Sequence, residues 1–201
     1  MNQSLQYGID FAGAIWYNGA LQINTYSVNL QLITASERPV IVGVALERIK
    51  AFVMGELANV LFINHAHDTV AEMFDALGAN VCTLPDEPHD LTIAMMLFCK
   101  LTAIVENNLV LSQLDVSSSL GDEVWYQISK EDSLGMFAQD GWWHKPNCQK
   151  HSLCTNTDAN VVKVQTSGWQ DYDLEWPEIP NGSATTIVKP DFHRHDSNQA
   201  R

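Results

Sequence analysis

Asn18-Gly19 divides the first part of the chain into two apolar runs, YGIDFAGAIWY and ALQINTYSVNLQLIT. Both residues tolerate positive φ, and a two-residue Asn-Gly link between such runs is the strongest short-range signal of an antiparallel hairpin. A hairpin cannot stand alone, so whatever follows must cover one of its faces. In the second run Leu21, Ile23, Tyr26, Val28, Leu30 and Leu32 alternate, with one break near Thr25 that a β-bulge would explain.

The next segment, SERPVIVGVALERIKAFVMGEL, is expected to be a helix with Ser36 as N-cap and Pro39 in its first turn. Val42, Leu46, Ile49 and Val53 then share one face. PVIVGVAL alone also fits a buried strand, but ERIKAF extends the segment at helical spacing. NVLFIN and NVCTLP have strand length, and AHDTVAEMFDALG lies between them. Val70, Met73, Phe74 and Leu77 form its helical stripe, and Gly78 is positioned to end it. That is a β-α-β unit, with Val60–Ile63 and Val81–Leu84 as parallel neighbours joined by a right-handed crossover.

HDLTIAMMLFCKLTAIVEN is apolar nearly all the way round, the pattern of a helix covered on most sides. LVLSQLDVSSS and EVWYQIS read as two further strands, turned at Leu120-Gly121-Asp122. The order β-β-α-β-α-β-α-β-β defines an α+β (mixed α/β) fold over residues 1–135. Residues 136–201 form a Trp-rich, acidic extension, expected to be partly irregular or flexible.

The formal net charge of -13 over 201 residues argues against direct nucleic-acid binding, which draws its affinity from Lys and Arg on phosphates. No apolar run reaches the ~20 residues of a membrane span, so no membrane association is expected. MNQSLQYGID lacks the basic and apolar regions of a secretory signal, so a cytoplasmic location is expected. In a reducing compartment Cys82, Cys99, Cys148 and Cys154 are thiols or ligands rather than disulfides.

Four constellations carry candidate chemistry. GWWHKPNCQKHSLC places His144, Cys148, His151 and Cys154 at H-x3-C-x2-H-x2-C spacing, the ligand types of tetrahedral zinc. Four ligands in so short a stretch is compact for a structural site, and an uninvolved loop or a Cys148–Cys154 disulfide are the alternatives. NHAHD puts His65, His67 and Asp68 after a strand, resembling the H-x-H-x-D-H motif of metallo-β-lactamase-type hydrolases, but one spacer and the last histidine are absent. The plainer reading is that Asn64 or Asp68 caps the following helix. HRHD, from His193 to Asp196, is a second H-x-H. PDEPHD groups Asp86, Glu87 and Asp90, which suit either a cation or a helix N-terminus. The chain has no G-x-G-x-x-G, P-loop, G-x-S-x-G, C-x-x-C or H-E-x-x-H.

TLPDEPHDLTIAMMLFCKLTAIVENNLVLSQLDVSSSLGDEVWYQ, followed by DGWW, resembles uncharacterised proteins of tailed bacteriophages, and VALERIKAFV and VLFIN belong to the same pattern. The resemblance covers roughly residues 40 to 143. It implies a protein of an infected bacterial cytoplasm or of the virion, and it transfers no catalytic residue. With no complete catalytic motif, an acidic balance and a Trp-bearing tail, the chain is expected to be non-enzymatic and to act on a protein partner, as an assembly component or as a regulator of a host protein. Trp169, Tyr172 and Trp176 in the acidic tail are the expected anchors. The alternative is a metal-dependent hydrolase or nuclease using His65 and His67 with Asp68 or Asp90, and the His/Cys stretch. A third possibility is a DNA mimic with carboxylates arrayed like phosphates, against which the acids are scattered, with no dense run except Asp171 to Glu178.

Overall fold

The computed structural model describes residues 3–34, 39–122, 124–146 and 174–177. Six strands form one mixed sheet: β1 (Gln3–Tyr17), β2 (Ala20–Thr34), β3 (Val60–Asn64), β4 (Asn80–Leu84), β5 (Val110–Ser118) and β6 (Tyr126–Ser129), in the spatial order β4-β3-β1-β2-β5-β6. Three helices, α1 (Pro39–Lys50), α2 (Asp68–Ala76) and α3 (Asp90–Val105), complete the α+β fold.

The hairpin is the spine. Asn18 and Gly19 take φ of 51° and 75°, the type I′ geometry whose twist matches the strands it joins. Register runs unbroken from Tyr17↔Ala20 to Gln3↔Thr34, so the bulge expected at Thr25 is absent from this pair. The alternation breaks there because Asn24, not an apolar residue, occupies the core face, while Ile23 turns outward. The irregularity lies instead between β2 and β5, at Gln31/Leu32.

β3 joins β1 in parallel at Gly13–Ile15, where a Cβ on Gly13 would press on the Val60 carbonyl, and β4 joins β3 in parallel, as expected. α1 and α3 cover the sheet face that carries Phe11, Tyr26 and Phe62, three rings in mutual contact. α2 lies on the opposite face, where Trp16 meets Phe74 edge-on. Its expected stripe is only partly covered: Met73 and Leu77 are exposed, and Ala71 is the buried residue. Gly78 ends the helix at φ 81°, as its position predicts.

α1 gives way at Ala51 to a π-helical segment, Ala51–Glu56. The buried stripe is Ile41, Ala45, Ile49, Phe52 and Val53, with Arg48 and Glu56, one residue round from the expected Val42 and Leu46, which are half-buried. α3 is buried over eleven of its sixteen residues, including Lys100. At about 1.5–3 kcal/mol for each large apolar side chain, it is the main hydrophobic contributor.

Described residues beyond 135 belong to this same core. Phe137 and Trp142 are buried on α3, Lys100 donates to the carbonyls of Lys145 (2.8 Å) and Trp142 (3.4 Å), and its ammonium faces the Trp142 and Phe52 rings. The packed region thus runs at least to residue 145.

Candidate functional site

At its turn end the hairpin outruns β5. β5 pairs with β2 only up to Tyr26↔Ser118, with one further bond from Ser119 N–H to the Thr25 carbonyl. From Ala20 to Asn24, β2 is paired on the β1 side alone among the described residues. The two-residue turn fixes which backbone groups are free. It makes Tyr17↔Ala20 a hydrogen-bonded pair, so even-numbered β2 residues bond β1 and odd-numbered ones point away. The Thr25 carbonyl, which takes the Ser119 bond, confirms the phase. Leu21 and Ile23 therefore present both their backbone groups and their side chains, 51% and 80% exposed.

A buried polar cluster holds this end in place. Asn24 Oδ1 accepts from Thr25 N–H (3.0 Å), Ser119 Oγ (2.9 Å) and Leu120 N–H (3.1 Å), which fastens the β5–β6 connection to the hairpin. Ser118 Oγ donates to Asp90 Oδ2 at 2.7 Å, tying the start of α3 to the end of β5. A Cβ on Gly121 would collide with that Asp90 oxygen, so the loop comes this close only with glycine. The Tyr26 hydroxyl lies beneath, without a hydrogen-bond partner of acceptable geometry. Burial pushes its ionisation well above the ordinary tyrosine range; the approach of Asn24 opposes that push and the Asp90 carboxylate adds to it. On the sheet face opposite α1 and α3, half-exposed Trp125 flanks a groove of about 390 Å³ lined by Thr25, Ser27 and Ser117–Ser119.

The candidate histidines sit elsewhere. Asn64 Oδ1 accepts from Ala66 N–H at 2.9 Å, so Asn64 is the capping residue at the β3–α2 junction and His65, His67 and Asp68 lie exposed at its start. His65 Nδ1 donates to the Leu84 carbonyl (3.2 Å), leaving Nε2 outward. His67 Nε2 is 3.8 Å from Glu87 Oε1, which also accepts from Asn64 Nδ2 at 2.9 Å. Asp90 is engaged with Ser118 instead, and Asp86 accepts from Glu87 N–H. Among the described residues no three His, Cys, Asp or Glu side chains converge as a metal site would require.

Of the His/Cys stretch, His144 donates from Nε2 to the Phe137 carbonyl (2.7 Å), which leaves Nδ1 as its ligand atom. Cys148, His151 and Cys154 lie outside the described residues, as do Trp169, Tyr172 and the HRHD segment. Trp176 is described and half-buried: the Arg48 guanidinium carbon is 4.2 Å from its ring centroid, and Arg48 Nε donates to the Leu174 carbonyl. Arg48, 2% exposed, also pairs with Glu106 at 3.0 Å. Neither Arg48 nor Asn24 was marked by the sequence. A charged residue on an apolar helix and an asparagine in a strand read as surface positions until their partners are in place.

No protein-family model matches the chain, and no curated protein matches it. Among solved structures it is similar to the crystal structure of an uncharacterized protein from Wolinella succinogenes, with a TM-score of 0.50 and 12% identity, covering 65% of this chain and 99% of that one. At that identity the likeness concerns the fold alone. No helix among the described residues is long and apolar enough to cross a membrane.

Proposed function

We propose that this chain is a non-enzymatic, phage-type protein that works by binding another protein, as a virion assembly component or as a regulator of a host protein. The observation that carries the reading is the β2 edge beside the hairpin turn, beyond the end of β5. Leu21 and Ile23 combine exposed aliphatic side chains with backbone donors and acceptors that no described strand pairs, the two elements that strand addition uses for specificity and affinity. The Asn24 and Asp90 hydrogen bonds hold that edge in place, which lowers the ordering cost of binding. In this reading Trp169 and Tyr172 add anchors from the tail, while Trp176 ties the tail to Arg48.

The test is affinity capture from bacterial host lysate, comparing wild type with a Leu21→Asp/Ile23→Asp variant. A protein held by the first and lost from the second supports the reading. Equal capture by both contradicts it.

A second reading, metal-dependent hydrolysis, draws on the outward Nε2 of His65 and the closeness of His67 to Glu87. Elemental analysis of protein purified without chelator or histidine tag tests it. About one metal per chain, lost in His65→Ala/His67→Ala, would favour it; metal lost in Cys148→Ser would assign the ion to the His144 stretch instead.

A further inference from the structure

We propose that two copies of the chain associate through the lower half of β1 as a two-fold antiparallel strand pair, joining the two sheets into one. This goes beyond the partner-binding reading and uses a different edge. β3 covers β1 only at Gly13–Ile15, and Asn59 N–H takes the Ala12 carbonyl at 2.8 Å. Below that point, from Gln3 to Phe11, no described strand pairs with β1 on this side. The hairpin phase again fixes the free groups. Odd-numbered β1 residues bond β2, so Ser4, Gln6, Gly8 and Asp10 point their N–H and C=O groups outward. The stretch has no proline and no lysine, and Asp10 is its one charge. It thus lacks most of the devices that blunt an open edge.

The free stretch is self-complementary. Its midpoint is Tyr7, and a two-fold axis there opposes Gln3 with Phe11, Leu5 with Ile9, and Tyr7 with its own copy. These odd-numbered residues point to the helix-covered face, where Leu5, Tyr7 and Ile9 are only half-buried although they pack on the core. The partner's copies would cover them. On the other face Gln6 meets Gly8 and Ser4 meets Asp10, and both of these are hydrogen-bonding positions. No like charges are opposed, so the only charge on the edge meets a hydroxyl. Phe11 borders a notch of about 380 Å³ lined with Asp10, Ala12, Met54, Ala58 and Asn59, which limits the pairing at its upper end. At a net charge of -13 per chain the copies repel over a Debye length, so association strengthens as salt is raised.

Sedimentation equilibrium of the full chain tests this register. Wild type is expected to dimerise. Ser4→Asp sets like charges opposite each other twice and is expected to weaken the dimer by roughly 2- to 30-fold. Ser4→Lys is expected to tighten it, and Ser4→Asp/Asp10→Lys to restore it. Gln6→Pro removes an outward donor that β2 does not use, and is expected to abolish the dimer with an unchanged circular dichroism spectrum. A wild-type chain that stays monomeric overturns the proposal, as does a dimer indifferent to all four variants.

Discussion

Arg48 is held between Trp176 and Glu106: its guanidinium carbon is 4.2 Å from the indole centroid and its Nη1 is 3.0 Å from the carboxylate. The same side chain bonds the Leu174 carbonyl, so one buried cation joins α1, the end of α3 and the C-terminal segment. Arg48→Met is expected to cost about 2–3 kcal/mol in urea unfolding, less than a fully buried pair because Glu106 can rehydrate. Trp176→Ala is expected to cost about 1–2 kcal/mol. The double variant should lose about 1 kcal/mol less than the two added together. Strict additivity would show that the indole and the guanidinium act independently.

Asn24 and Tyr26 lie two residues apart on the same buried face and are expected to respond in opposite ways. Asn24→Ala removes the acceptor of three hydrogen bonds and should cost about 2–4 kcal/mol. Tyr26→Phe removes a hydroxyl that has no well-formed bond, so stability should change by less than about 1 kcal/mol, and in the favourable direction. A loss above that in thermal or urea unfolding of Tyr26→Phe would assign the hydroxyl a strong partner.

Alkaline pH should unfold the protein by a defined route. Burial pushes the Cys99 thiol up to about 11, from 9.0 in the unfolded chain, and raises Tyr26 in the same direction. Both groups stay neutral in the fold while the unfolded chain ionises. The Cys99 contribution is therefore intact below pH 9 and lost as pH rises towards 11, whereas that of Tyr26 begins to fall only above pH 10.0. The Cys99 share is about 2–3 kcal/mol. Chemical denaturation at stepped pH checks this. Cys99→Ala should flatten the decline between pH 9 and 11, and an unaltered slope would contradict the assignment.

Local signals made the topology legible. Asn18-Gly19 marked the hairpin, Gly78 the end of α2, and the short runs at 60–64 and 80–84 the parallel pair, because each depends on residues close in sequence. What stayed hidden depends on distant partners. Asn24 belongs on the core face because Ser119 and Leu120 come to meet it, and Arg48 because Glu106 and Leu174 do. The stripe of α1 shifted by one residue because the small Ala45 and the cation Arg48 face the core, where a hydropathy pattern selects Val42 and Leu46. Of the candidate residues the sequence offers, His65 and His67 lie at a capped junction, and Trp176 packs on its own chain. The open edge at Leu21 and Ile23 was not legible either, since those residues look like ordinary members of an alternating strand. Their exposure follows from where β5 stops.

Amide hydrogen exchange reads partner binding at the proposed hairpin edge residue by residue. The purified chain should exchange the Leu21 and Ile23 amides quickly, and the chain bound to its captured partner should protect those two amides before any others. Protection elsewhere, with Leu21 and Ile23 exchanging as fast in the complex as alone, would rule out the hairpin edge as the binding surface.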